Sequence, residues 1–292
     1  MQLNSNPKPI RIPVILALLP LGLVLAVTPA YAGTYATLDY PGATNTVLAG
    51  VNEDRQIVGY FWEPNGDFHG FLWSQGKFTI IDDPRAQNTL ANGINDDGQI
   101  LGGADTSGFE LDGCIFTNIV FPSSVVTTPG GSNEADEIVG CYQVEPFRLE
   151  FRTYGFTLVA GTYRSISYEG FQTCMSKVNT QGQIVGYYCT DREMYHGLLV
   201  NNGTLLPIAY PDSDFTELTG INNLSLIVGY YASSTNGPYH GFVRDQQNFV
   251  KIDFPGAVST IPHAIDSKGD VVGSYADSLN DYHGFVLIRS SD

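Results

Sequence analysis

One pattern is written six times along this chain. Each copy has a Thr, an Asn or Asp six residues later, and a Gly seven residues after that. The triples are Thr46/Asn52/Gly59, Thr89/Asn95/Gly102, Thr127/Asn133/Gly140, Thr173/Asn179/Gly186, Thr216/Asn222/Gly229 and Thr260/Asp266/Gly273. Successive glycines stand 43, 38, 46, 43 and 44 residues apart. A period of this size marks a solenoid or a propeller, in which each unit buries its apolar surface against its neighbours. The recurring residues are therefore architectural, since six copies cannot all be one active site.

Within a unit the sequence reads as four short strands. Asn95-Asp96-Asp97-Gly98, Asn179-Thr180-Gln181-Gly182 and Asp266-Ser267-Lys268-Gly269 are tight turns in which Gly supplies a positive φ. Short runs flank the turns, such as 90–94 before and 100–102 after, and 184–188 carries the β-branched and aromatic side chains that strands prefer. A variable loop leads to a third strand beginning His69-Gly70-Phe71 or His240-Gly241-Phe242, and a short turn to a fourth. Pro-Gly breaks such as Pro255-Gly256 then carry the chain to the next unit. Four antiparallel strands repeated radially predict an all-β, six-bladed β-propeller. A parallel β-helix has shorter repeats and lacks these hairpins. Residues 35–40 match a fourth strand and 283–288 a third, so the N-terminal strand is expected to complete the last blade and close the ring.

Residues 1–32 read as a cleaved signal peptide. Lys8 and Arg11 precede an apolar stretch over 14–27, and Ala30-Tyr31-Ala32 is a small-x-small cleavage site. The expected mature chain, 33–292, is a single domain, secreted or periplasmic, without stable membrane insertion. Its charge is strongly acidic: 14 basic against 30 acidic side chains give −16 for the whole chain, and −18 once the leader is removed. Phosphate backbones and anionic membrane surfaces would be repelled, so nucleic acid is not an expected partner. A monomer is expected.

The repeat also resembles the bacterial extracellular HAF repeat, named for a His-Ala-Phe tripeptide. Here the tripeptide is His-Gly-Phe at His69, His240 and His283 and His-Gly-Leu at His196, and Gly93-Ile94-Asn95 opens the accompanying run to Gly102. The units at Gly108-Phe109 and Gly155-Phe156 lack the His. The resemblance implies an exported repeat protein and assigns no activity. The four histidines share one position on separate blades, too far apart to converge on one metal ion. Each is read as hydrogen-bonded within or between blades, where it positions a turn. No metal and no cofactor are expected.

Function placed on a symmetric scaffold has to break the symmetry. Two residues before the turn Asn stand Gly50, Gly93, Gly131, Gly220 and Ala264, but Lys177 in the fourth unit. One place earlier His263 departs from smaller residues, with Asn92 beside Ala49, Gly130, Ser176 and Thr219. Five before the Asn, Glu217 departs from Val47, Leu90, Thr128, Cys174 and Ile261. Lys177, Glu217, His263 and Asn92 are thus candidate ligand-binding residues of the central channel. A second departure is the long excursion of the third unit between Gly140 and Gly155, where Phe147, Arg148 and Arg152 are candidates for covering a ligand or meeting a partner.

The chain has no Gly-x-Ser-x-Gly elbow, His-Glu-x-x-His pair or phosphate loop. A binding or scaffold module for a glycan, peptide or small molecule is the expected function. The alternative is an extracellular lyase or hydrolase acting through the channel residues. Of the four cysteines, Cys174 and Cys189 are expected to bridge across the hairpin at 179–183, while Cys114 and Cys141 fall in different units and are not paired.

Overall fold

The structure is a computed structural model that describes residues 31–147, 150–190, 194–234 and 237–290; the leader expectation falls largely outside it. The described residues form twenty-four strands in six four-stranded antiparallel sheets. From inner to outer strand, blade 1 runs Asn45–Val51, Ile57–Trp62, Phe68–Ser74 and Lys77–Ile81. Blade 2 runs Thr89–Ile94, Ile100–Ala104, Ser107–Asp112 and Ile115–Ile119. Blade 3 runs Val126–Ser132, Ile138–Phe147, Glu150–Val159 and Thr162–Ile166. Blade 4 runs Gln172–Val178, Ile184–Cys189, Tyr195–Asn201 and Thr204–Ile208. Blade 5 runs Phe215–Ile221, Ile227–Ala232, His240–Asp245 and Asn248–Ile252. Blade 6 runs Ser259–Ile265, Val271–Ala276 and Tyr282–Arg289, and takes its outer strand, Gly33–Thr37, from the start of the chain. That strand pairs antiparallel with Tyr282–Arg289, Gly33 opposite Arg289, so the six-bladed ring closes as expected.

Each recurring residue has a physical task. The Thr hydroxyl accepts the backbone N–H of the crossover residue leading into its blade, at 2.9–3.1 Å in all six. The turn Asn or Asp accepts, through Oδ1, the N–H four residues on, at 2.8–3.1 Å. Four of the Asn side chains also donate from Nδ2 to the turn carbonyl of the next blade: Asn52 to Asn95, Asn133 to Asn179, Asn179 to Asn222 and Asn222 to Asp266.

The second-strand Gly lies against a bulge in the inner strand. A Cβ on Gly186 would come 2.0 Å from the Cys174 carbonyl oxygen, and one on Gly59 equally close to that of Val47. No other residue fits such an approach.

The His-Gly-Phe tripeptide divides into three roles. His69, His240 and His283 bond through Nδ1 to Asp82, Asp253 and Asp39 on the outer-strand side, at 2.8–3.1 Å. The Gly is a hole for a knob on the next blade: a Cβ on Gly197 would meet Leu218, and one on Gly284 would meet Leu48. Phe71, Phe109, Phe156, Phe242 and Phe285 are fully buried, with Leu198 in blade 4. Each such ring contributes about 2–3 kcal/mol by leaving water. Above them, a crossover aromatic stacks on the second strand, as Tyr40 does on Phe61 at 3.7 Å and Tyr210 on Tyr231 at 3.6 Å.

The expected Cys174–Cys189 bridge is corrected. The turn pairs Val178 with Ile184, and past the inner-strand bulge Cys174 falls opposite Tyr187 while Cys189 falls opposite Gln172. The two cysteines are thus two positions out of register. Cys174 is instead disulfide-bonded to Cys141, with Cα atoms 5.0 Å apart. Cys141 is on the second strand of blade 3, so the bridge ties neighbouring blades rather than the strands of one hairpin. The Cys189 Sγ donates to the Thr190 carbonyl.

Candidate functional site

The inner-strand bulge shapes the channel. It inserts the residue three before the turn Asn, as between Leu48 and Gly50 or Met175 and Lys177. The residue three before the Asn then lines the wide upper part of the channel in every blade, toward the end where inner strands begin, and the residue five before it does so at Val47, Thr128, Cys174 and Glu217. The residue two before the Asn stands at the narrowest level. There a Cβ on Gly50 would come 3.0 Å from the Cα of Gly93, and one on Gly93 2.6 Å from the Gly130 carbonyl oxygen. The glycines are what allows six strands to approach so closely.

Only blade 4 sends a long side chain across this level. Lys177 passes over the place a Cβ of Gly131 would occupy, 2.8 Å from its Cδ. Its Nζ donates to the backbone carbonyls of Asn92 at 2.5 Å and Gly130 at 2.6 Å. Lys177 lines both halves of the channel and so divides a chamber of about 430 Å³ above from a pocket of about 70 Å³ below. Burial pushes its amine down to about 7.

All four inner-strand candidates line the upper chamber: Asn92, Lys177, Glu217 and His263. Asn92 donates from Nδ2 to the Pro129 carbonyl at 3.0 Å, which ties blade 2 to blade 3. Glu217 accepts a 2.7 Å hydrogen bond from the Tyr230 hydroxyl on Oε2. Burial pushes this carboxyl up to about 7, against the Tyr230 bond, which favours the anion. His263 Nε2 lies 3.1 Å from the Ser274 hydroxyl. Burial, with Lys177 adding to it, pushes the imidazole down to about 4, so it is neutral at physiological pH. The chamber thus offers a neutral imidazole beside a carboxyl and an amine whose charged forms the low-dielectric wall disfavours.

The candidates of the third unit are not part of this constellation. Its long second and third strands do extend the blade at the end where inner strands begin. Arg152 is exposed there, opposite Val144, and does not line the chamber. Phe147 ends the second strand, but its side chain and Arg148 lie outside the described residues.

Sequence reasoning from the inner strands alone missed a second ring of wall residues. The position after the second-strand Gly is Tyr60, Gly103, Cys141, Tyr187, Tyr230 and Ser274. It pairs with the position of Glu217, as Val47 with Tyr60 and Glu217 with Tyr230. Tyr60 and Tyr187 line the chamber, and so does Cys141, whose disulfide to Cys174 forms part of the wall. Burial pushes the Tyr60 phenol up to about 12. It also raises that of Tyr187, with Glu217 adding to the effect. The Gly-Tyr dipeptide in three units, against Gly-Gly, Gly-Cys and Gly-Ser in the others, was the signal that could have found them.

From these tyrosines the aromatic surface continues outward. Tyr187, Tyr195, Phe215, Tyr230 and Tyr239 form a connected series across blades 4 and 5, with ring centroids 5.1–5.5 Å apart. In blade 1, Tyr60 meets Trp62 at 5.3 Å and Trp62 meets Phe68 at 4.9 Å.

The lower pocket is different in kind. It is lined by the near-axial glycines, the turn residues Asn52, Asn95 and Asn222, and the acids Glu53, Asp96, Glu134 and Asp266. Among the described residues, no group of three or more His, Cys, Asp or Glu is arranged to hold a metal ion.

No family model matches the chain, and no curated protein matches it. Solved structures do. A lectin of Aleuria aurantia in complex with α-methyl-L-fucoside matches over 86% of this chain and 93% of its own, at TM-score 0.53 and 12% identity. AofleA of Arthrobotrys oligospora matches over 87% and 86%, at TM-score 0.54 and 12% identity. A gluconolactonase of Xanthomonas campestris matches over 90% and 99%, at TM-score 0.51 and 11% identity. At such identities the likeness establishes the propeller fold and nothing finer. Binding proteins and enzymes share it.

Proposed function

We propose that this is an exported binding module whose upper chamber holds a saccharide or a similar small polar ligand with one apolar face. One observation carries the reading. The side chains that break the six-fold pattern on the inner strands, and the tyrosines beside them on the second strands, face one chamber of about 430 Å³. That volume is in the range of small-molecule sites. Tyr60, Tyr187 and the rings beyond them offer flat apolar surface to the face of a sugar ring. Glu217 with Tyr230, and His263 with Ser274, are hydrogen-bonding pairs suited to hydroxyl groups. The fucoside-bound lectin of the same fold supports a glycan as the ligand class. Export fits the strand that begins at Gly33, the residue a cut after Ala32 would expose. The likeness to HAF repeats belongs to the same reading.

The test is saturation-transfer NMR of the 33–292 protein against mono- and disaccharides, with Tyr187→Ala and Tyr60→Ala alongside. Wild type should show transfer to ring protons of at least one sugar, and both variants should lose most of it while melting cooperatively. Absence of transfer to every sugar would end the reading. A second reading, acid–base catalysis by a lyase or hydrolase, has its own support: a carboxyl and an amine both brought to about 7 in one chamber. The same samples, followed with lactones and glycosides, should then show turnover that Glu217→Gln abolishes.

A further inference from the structure

Lys177 is a buried group of the chamber whose hydrogen-bond partners carry no charge. Its two hydrogen-bond acceptors, the carbonyls of Asn92 and Gly130, are neutral. Among the described residues no carboxylate lies within ion-pair distance of it. This is notable in a chain where acidic side chains outnumber basic ones by 30 to 14. A buried ammonium without a counter-charge is costly unless it gives up its proton or meets an anion. The position is built for it. The five other blades place Gly or Ala at this level, and the chain of Lys177 fills the space that Gly93 and Gly131 leave open. An ammonium has three protons, and two are used.

We infer that the ligand of the upper chamber carries a carboxylate, and that this carboxylate pairs with Lys177 at the chamber floor. The inference rests on the binding reading above and narrows it to acidic sugars, uronates in particular. The ring face of such a ligand lies along Tyr60 or Tyr187, and its acid group points down the axis. The other titratable groups facing the chamber are Glu217, His263, Tyr60 and Tyr187, and on the lower side of Lys177 the small pocket is lined by Glu53, Asp96, Glu134 and Asp266. Burial holds the carboxyl of Glu217 toward its neutral form and the imidazole of His263 neutral, so neither strongly opposes an incoming anion near pH 6. The negative charge of the whole protein slows the approach of anions, whereas a desolvated ion pair acts on the bound state. Selectivity therefore resides in dissociation. Because burial brings the Lys177 amine down to about 7, an anion bound at pH 8.5 must restore a proton to it.

Isothermal titration tests this with D-glucuronate, its methyl ester and D-glucose, on wild type and Lys177→Met. Titrations at pH 6 and pH 8.5, in buffers of different ionisation enthalpy, count the protons. A charge-assisted hydrogen bond predicts that glucuronate binds wild type roughly ten-fold or more tighter than its ester or glucose. Lys177→Met should erase that preference, so that the variant binds glucuronate, its ester and glucose within about two-fold of one another. Proton uptake should accompany glucuronate binding at pH 8.5 and vanish in the variant. Equal binding of acid and ester by wild type overturns the carboxylate inference without any variant, and leaves the saccharide reading standing if glucose binds. A preference that persists in Lys177→Met overturns it as well. Absence of binding by all three overturns both.

Discussion

The two ends of the channel are made by the same six inner strands and share almost nothing else. At the lower end every blade turns on the same residue, Asn in five and Asp in one, and the same Oδ1 bond recurs six times. Five residues earlier, at the upper end, the blades carry Val47, Leu90, Thr128, Cys174, Glu217 and Ile261. The lower end is a fastening. Each amide is buried and satisfied locally or by the next blade, so exchange of one leaves its partners stranded. The upper end is a wall around open space, where a side chain has few neighbours to satisfy. Repetition there has no structural purpose, and the wall can specialise.

That contrast can be broken by experiment, beginning with the largest effect. The upper wall has a covalent fastening, the Cys141–Cys174 bridge between blades 3 and 4, which closes a loop of 33 residues. Replacing both cysteines with Ser should cost about 3–4 kcal/mol of unfolding free energy by chain entropy. Urea titration of oxidised wild type against the double variant measures it. No loss on removing the bridge would mean that packing alone holds blades 3 and 4 together.

At the lower end, Asn179→Ala removes bonds from Nδ2 to Gln183 and the Asn222 carbonyl and to Oδ1 from the amides of Gln181 and Gln183. A loss of about 3 kcal/mol is expected, with ligand binding above unchanged. A loss below about 1 kcal/mol in the same urea assay would remove the distinction between fastening and wall.

Asp266 sharpens the contrast, because it is the lower ring's one exception. Its Oδ1 accepts the Asp270 amide at 2.8 Å, but its buried Oδ2 has no hydrogen-bond partner, and the donor an Asn would offer across the closing seam is missing. Burial pushes this carboxyl up to about 6; the bond from the Asp270 amide and the charge of Lys268 oppose the rise, and the Asp270 and Glu53 carboxylates add to it. A raised carboxyl holds its proton more tightly folded than unfolded. The stability tied to it is therefore fully present below the ordinary value of 3.8 and is lost as pH rises through about 6. Asp266→Asn should raise stability by roughly 1 kcal/mol at pH 8 and change little at pH 4. Thermal melts across that range decide it, and an unaltered pH profile would remove Asp266 as its source.

The smallest effect is expected at the upper end. Ala49→Ser places in blade 1 the residue that blade 4 has at Ser176. Because Ala49 faces the chamber, the change should move stability by less than about 0.5 kcal/mol. A larger loss by calorimetry would show that the wall is as constrained as the ring.

Much of this molecule was legible before any coordinate. Thr, Asn and Gly at constant spacing carried the strand order, the hairpins, the six blades and the closure by residues near the N-terminus. All of these follow from local rules: a turn needs its Asn, a bulge its Gly, a strand its β-branched run. The symmetry also made its exceptions visible, and Lys177, Glu217, His263 and Asn92 do line one chamber. Three things were not legible. The bulge shifts register by one residue and leaves Cys174 two positions away from facing Cys189 instead of one. The Cys141–Cys174 contact lies between blades, across 33 residues that no hairpin rule connects. Tyr60 and Tyr187 belong to second strands, and that they reach the chamber depends on how the blades are set around the axis. Repetition along a chain determines what each unit is, because hydrogen bonds and packing within a unit are local in sequence. What six units enclose depends on the angle and radius at which they meet, and only the tertiary structure decides that.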